Sequence, residues 1–238
     1  MQTWFESDIG RYAMAREQAW FDEASVDLFG FNAMQFGHCG VDTLRANRMP
    51  FRFCAAGEGG ALACLPELLP IASQSLDLVT LPHALEFSAN PHALLREVDR
   101  VLRPEGRLLI SGFNPLSLWG TRRLMSRSGV GWPWNGHFIH LNRLKDWLSL
   151  LSFEIAAGRQ ACYAPPINRA AWLARFAFLE AAGDRWWALG GGVYFLHAIK
   201  RVHGMRLIET KWSERWSANP VWVPTRRNTT QRGGVNKL

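Results

Sequence analysis

The chain has 238 residues, 48% of them apolar, and a formal net charge of +7. That length suits one α/β domain with additions, and the apolar share is enough for one large core. The excess charge sits at one end. Residues 200–238 carry nine Lys/Arg against two acids, whereas residues 1–199 carry 18 of each, which excludes a body built all over for nucleic acid.

Residues 1–27 are charged and amphipathic and lack an apolar leader core. A loop and then a capping helix are expected there, with Tyr12, Ala13, Ala15, Ala19 and Trp20 forming a partial apolar stripe. Ala33–Gly40 reads as a first strand and its turn. A short helix is expected over 41–49, a second strand over Phe51–Ala55, a loop over Gly57–Gly60, and a third strand over Ala61–Leu65 before the turn Pro66–Pro70.

The stretch 75–113 carries the clearest pattern. An apolar run, Leu76–Leu81, is followed by a polar bend holding Pro82, His83 and Glu86. Asn90 is a good N-cap and Pro91 suits the first helical position, so a helix is expected from Pro91 to Leu102. Ala93, Leu94, Val98, Val101 and Leu102 give it one apolar face. Pro104–Gly106 ends it, and a second apolar run covers Leu108–Ile110. Strand, helix and strand in this order make the βαβ unit of a parallel sheet. The strands barely alternate, as expected when helices cover both sheet faces.

Beyond Phe113, Asn114 and Pro115 open a loop. Asn142 is placed to cap a helix running to Leu151, and a sixth strand begins at 152–155. A helical insertion over 156–190 contains a strongly apolar helix, Ala170–Ala182, ending near Gly183. Val193–Arg201 reads as a seventh strand. The tryptophans at 119, 132, 134, 172, 186 and 187 either line an apolar cleft or cover the sheet.

The run from Asp77 to Ile110 resembles the fourth strand, helix and fifth strand of class I S-adenosylmethionine-dependent methyltransferases, most closely the type 11 group. A weaker resemblance, to a small bacterial branch of that group, extends from Trp4 to Trp212. The resemblance implies a Rossmann-like α/β sandwich, a mostly parallel seven-stranded sheet with an antiparallel last strand. It implies one domain over 1–212 and leaves 213–238 as a basic, flexible tail. It also implies S-adenosylmethionine as cofactor, held by Gln35, Gly37 and Gly40 after the first strand, Cys64 and Leu65 after the third, and Thr80, Leu81 and Pro82 at the end of the fourth.

The family's first loop carries an acid and three glycines. Here Gln35 stands in the acid's place, and Cys39 and Val41 stand where glycines are usual, so the loop is altered. The family's ribose-binding acid has only Glu58 as a local counterpart, and no acid precedes the Leu65–Pro66 turn.

His83 and Glu86 are the candidate catalytic pair, because ligands of open α/β sheets sit at the carboxyl ends of strands. A histidine there is suited to taking a proton at neutral pH. Methyl transfer by in-line placement alone needs no base.

No metal-ligand spacing surrounds His137 and His140, or His38 and Cys39, and no Walker A or Gly-x-Ser-x-Gly motif is present. The four cysteines, 39, 54, 64 and 162, show no paired spacing, so reduced thiols and a cytoplasmic location are expected. No apolar run is long enough to span a bilayer. Two functions follow: methyl transfer to a small or apolar acceptor, or an inactive methyltransferase-like binding protein whose basic tail engages RNA or a protein partner.

Overall fold

A computed structural model describes residues 2–39, 41–57, 59–125, 131–186 and 190–202. The body of the chain, to Val202, forms one unit. The basic end, 203–238, lies outside the described residues, and so do Gly40, Glu58 and Trp187.

Seven strands form one sheet: β1 (Asn32–Phe36), β2 (Phe51–Ala56), β3 (Leu62–Ala63), β4 (Leu76–Pro82), β5 (Leu102–Phe113), β6 (Phe153–Ala161) and β7 (Val193–Lys200). Their order is β3-β2-β1-β4-β5-β7-β6. Pairing is parallel from β3 to β5, and β7 lies antiparallel to both β5 and β6. This is the expected Rossmann-like α/β architecture, with its topological switch between β1 and β4.

Two cores sandwich the sheet, and successive strand residues feed opposite ones. Val79 and Leu108 face the helices α4 (Pro91–Val101) and α6 (Leu141–Leu150), meeting Leu94, Leu95, Val98, Leu144 and Leu148. Leu78 and Leu109 face α2 (Asp8–Val26), meeting Ala13, Trp20 and Phe21, and the buried Trp119 of α5 (Leu118–Met125) closes this side. The caps follow local chemistry. The Asn90 side chain accepts from Ala93 N–H at 3.0 Å, and Ser7 Oγ accepts from Gly10 N–H at 3.1 Å. Gly10 is required by packing, since a Cβ there would lie 2.0 Å from the carbonyl oxygen of Trp4, in the short helix α1 (Gln2–Phe5).

Several expectations change. Residues 41–49 form turns rather than a helix, because side chains capture the backbone groups a helix would use. Gln35 Oε1 accepts from Thr43 N–H, Asp42 Oδ1 from Leu44 N–H, and Asn47 Oδ1 from Met49 N–H. The third strand shrinks to two residues, and His140, not Asn142, stands at the N-cap of α6. Pro104–Gly106 lies inside β5, where Glu105 adopts a φ of 64° and the register against β4 shifts.

The helix expected over 170–182 is two helices, α7 (Ala170–Arg175) and α8 (Phe178–Trp186), and Gly183 lies within the second. They answer to different anchors. Ala170 N–H donates to Asp8, while Glu180 receives Tyr163 N–H at 2.9 Å and the Tyr12 hydroxyl. Among the described residues no helix is long and apolar enough to cross a membrane.

The expectation of reduced thiols is overturned for one pair. Cys39, in the loop after β1, is disulfide-bonded to Cys54 of β2, with Cα atoms 5.9 Å apart. Sequence spacing could not show it, because the parallel pairing of β1 with β2 brings the two together. Cys64 and Cys162 are free. The bridge closes a 15-residue separation, and loop closure of that size stabilises by about 3 kcal/mol. Reduction is therefore expected to lower the melting temperature by several degrees, read by differential scanning fluorimetry with and without dithiothreitol. An unchanged melting point with both thiols open to alkylation would contradict the bridge's contribution.

Candidate active site

The switch point between β1 and β4 opens into a cavity of about 310 Å³. Gly37, His38 and Cys39 after β1, Cys64 and Leu65 after β3, and Pro82, His83 and Ala84 after β4 border it. Phe5, Phe87 and Trp132 give it aromatic walls, and Glu17 reaches it from α2. Phe5 stacks on the His38 ring at 4.3 Å, and Phe87 stacks on Trp132 at 5.5 Å.

Behind this cavity lies a buried ionic triad. His83 follows β4 directly and takes the left-handed conformation, φ 50°, a strained state for a non-glycine residue. Its Nδ1 is 2.7 Å from Glu86 Oε2, and its Nε2 is 2.7 Å from Glu17 Oε1. The three residues are at most 6% exposed. Phe113 N–H donates to Glu86 Oε1, and the Ser111 hydroxyl donates to Glu17 Oε2 at 3.4 Å. The His83 ring lies on Phe113 at 4.0 Å.

Burial alone would lower the proton affinity of His83. The flanking Glu17 and Glu86 carboxylates outweigh it and push the pKa up to about 10. Burial raises the Glu86 carboxyl, opposed by His83 and by the Phe113 N–H. His38 goes the other way: burial lowers it below the ordinary imidazole value, against an opposing pull from Glu17. The cavity is thus bordered by a histidine held as a cation and by a neutral one. Burial also raises the Cys64 thiol, which keeps it uncharged.

Of the residues expected to bind or act, the structure brings Gly37, Cys64, Leu65, Pro82 and His83 to one cavity. Glu86 reaches it only through His83. Gln35, Thr80 and Leu81 point elsewhere. Gln35 Nε2 donates to the carbonyls of His38 and Val41 at 2.7 and 2.6 Å, and its Oε1 accepts from Thr43. It therefore ties the altered loop together from inside. Thr80 Oγ1 pairs with Thr43 Oγ1 at 2.6 Å, and Leu81 is core. Gly40 and Glu58 lie outside the described residues.

Sequence alone does not mark Glu17 or His38 as site residues. Glu17 had a signal: it lies four residues from Ala13 and from Phe21, on the buried face of α2, where an acid needs a partner. Of the tryptophans, Trp132 lines the cavity, Trp119 is core and Trp172 is partly exposed.

The fit to a sulfonium nucleoside rests on Gly37. Its φ of 120° is open to glycine but not to other residues without strain, and a Cβ there would lie 3.2 Å from Ala84 Cβ. The backbone can therefore run close beside a ligand in the cleft.

A methyltransferase-domain family profile matches residues 47–110. The uncharacterized protein YafS of Escherichia coli K12 is 36% identical over 149 residues, 61% of this chain and 60% of that protein. A demethylmenaquinone methyltransferase of Mycobacterium bovis BCG is 33% identical over 135 residues, 55% of this chain and 52% of its own. The chain thus spans about half to three-fifths of the length of these curated relatives. Among solved structures, a Thermotoga maritima methyltransferase described as a possible histamine N-methyltransferase superposes with a TM-score of 0.59 at 15% identity, covering 84% of this chain and 94% of that one. Residues 47–110 thus carry a methyltransferase-domain signature, and the sheet has the fold of S-adenosylmethionine-dependent methyltransferases. The cofactor of proteins with that signature and fold is S-adenosylmethionine.

The triad sets a pH signature. The folded pKa of His83, about 10, exceeds the ordinary histidine value of about 6.5. Its stabilising contribution is complete below about pH 6.5 and is lost as pH rises through about 10. In ¹⁵N-histidine spectra the His83 ring is expected to keep both N–H protons through neutral pH and to titrate near pH 10. A midpoint near the ordinary value would contradict the triad.

Proposed function

We propose that this chain transfers the methyl group of S-adenosylmethionine to a small, apolar acceptor at the cleft between β1 and β4. The carrying observation is that cleft itself: a glycine in a left-handed conformation, aromatic walls and a buried ionic triad, all at the topological switch point. Gly37, Cys64, Leu65 and Pro82 hold the cofactor in this reading. When bound, it supplies an electrophilic methyl group.

The chain's own residues do three things. Phe5, Phe87 and Trp132 exclude water and favour a flat, apolar acceptor. The relative named as a demethylmenaquinone methyltransferase is consistent with such an acceptor. His83, with both ring nitrogens engaged by carboxylates, keeps its proton, so His83 and Glu86 act by fixing charge and shape rather than by taking a proton. His38, neutral and bordering the same cavity, takes the proton when the acceptor must lose one. Placement of the acceptor against the methyl group supplies most of the rate.

Addition of S-adenosylmethionine at 100 times its dissociation constant is expected to stabilise the fold by about 2.7 kcal/mol. Gly37→Val, which places a branched side chain at φ 120° beside Ala84, is expected to abolish that shift. No shift for the unaltered chain at millimolar cofactor would refute the proposal.

A further inference from the structure

The loop after β1 brings no carboxylate to the cavity. Gln35 is neutral, and all its hydrogen bonds turn inward to His38, Val41 and Thr43. Among the described residues bordering the cavity, Glu17 is the one carboxylate. It comes from α2, a different element on the other side of the cleft, and its own ion-pair partner is buried with it.

Two carboxyl groups face one imidazole in a site almost closed to water, so the triad holds one more acid than base. The hydroxyl of Ser111 and the N–H of Phe113 bond to those acids but carry no charge of their own. Glu86 is sealed behind His83 and bonded to Phe113, so His83 and Glu17 are the members of the triad that border the cleft, and Glu17 is its acid there. A buried charge without a counter-charge is costly, and a cation in the cleft relieves that cost.

The geometry points to Glu17 as the residue that makes this cleft prefer a cationic nucleoside over its neutral counterpart. This rests on the cofactor reading above and deepens it. S-adenosylmethionine carries one positive charge more than S-adenosylhomocysteine, and that charge lies on the sulfur. Glu17 in this role is a specificity residue: it favours the loaded cofactor and disfavours the spent one, which eases release of the product. The altered loop and the acid on α2 are then two halves of one arrangement, with the charge moved from the first strand to the capping helix.

Isothermal titration of the full chain with three nucleosides tests this. S-adenosylmethionine and sinefungin, whose amine replaces the charged sulfur, are cations relative to S-adenosylhomocysteine. The unaltered chain is expected to bind both cations about tenfold or more tightly than S-adenosylhomocysteine, the usual scale of a charge-assisted contact. Glu17→Gln, close in shape, is expected to weaken both cations by about the same factor and to leave S-adenosylhomocysteine within about threefold. Glu17→Asp, which keeps the charge, is expected to retain the preference.

Equal weakening of all three ligands by Glu17→Gln would overturn the inference while leaving the cofactor reading intact. Binding of none of them by the unaltered chain would bring down both. If Glu17→Gln fails to fold, the unaltered chain decides: equal affinity for all three overturns the role assigned to Glu17.

Discussion

A single histidine clamped between two glutamates ties the capping helix to the sheet. Glu17 comes from α2, His83 from the turn after β4, Glu86 from α3 (Ala84–Phe87), and the groups that complete their bonding from β5. Three stretches distant in sequence, around residues 17, 83–86 and 111–113, meet over one imidazole ring. Removing His83 would leave two buried carboxyl groups without their ion-pair partner, which destabilises far more than a lost surface ion pair. The left-handed backbone of His83 persists because these bonds over-determine it. The triad thus ties α2 to the sheet, and α2 reaches the cleft through Glu17.

The altered first loop keeps its shape by other means than glycine. Gln35 lies under it, bonding carbonyls and an N–H on both sides, and the Cys39–Cys54 bridge pins its outer edge to β2. A carboxylate in the place of Gln35 could not donate to the carbonyls of His38 and Val41, so the amide suits this loop better than the acid usual in the family. The substitution that marks the loop as altered in the sequence is a change in how the loop is held.

What was legible in the sequence was local. The strand at Leu76–Leu81 and the Asn90-capped helix are written in spacing and cap chemistry, and the structure reproduces both closely. The antiparallel last strand and the gathering of Gly37, Cys64, Leu65 and Pro82 at one end of the sheet were implied by the resemblance, and the structure shows both, with His83 beside them. What escaped depends on contacts between distant segments. Residues 41–49 are diverted from a helix by Gln35 and by their own Asp42 and Asn47, and Asn47 also donates to the carbonyls of Ser25 and Leu28. Propensity is a weak guide once side chains compete for the backbone. Glu17 lies 66 residues from His83, so no window of sequence contains both, and His83 read alone looks like a base at neutral pH. Only its second carboxylate turns it into a fixed cation.

The most direct measurement is a crystal structure of the full chain with S-adenosylmethionine bound. The account predicts the nucleoside between Gly37 and Pro82, with its positively charged end on the Glu17 side and His83 still bonded to both carboxylates. A nucleoside lodged elsewhere, or a complex in which Glu17 has left His83 and turned away from the ligand, would contradict it.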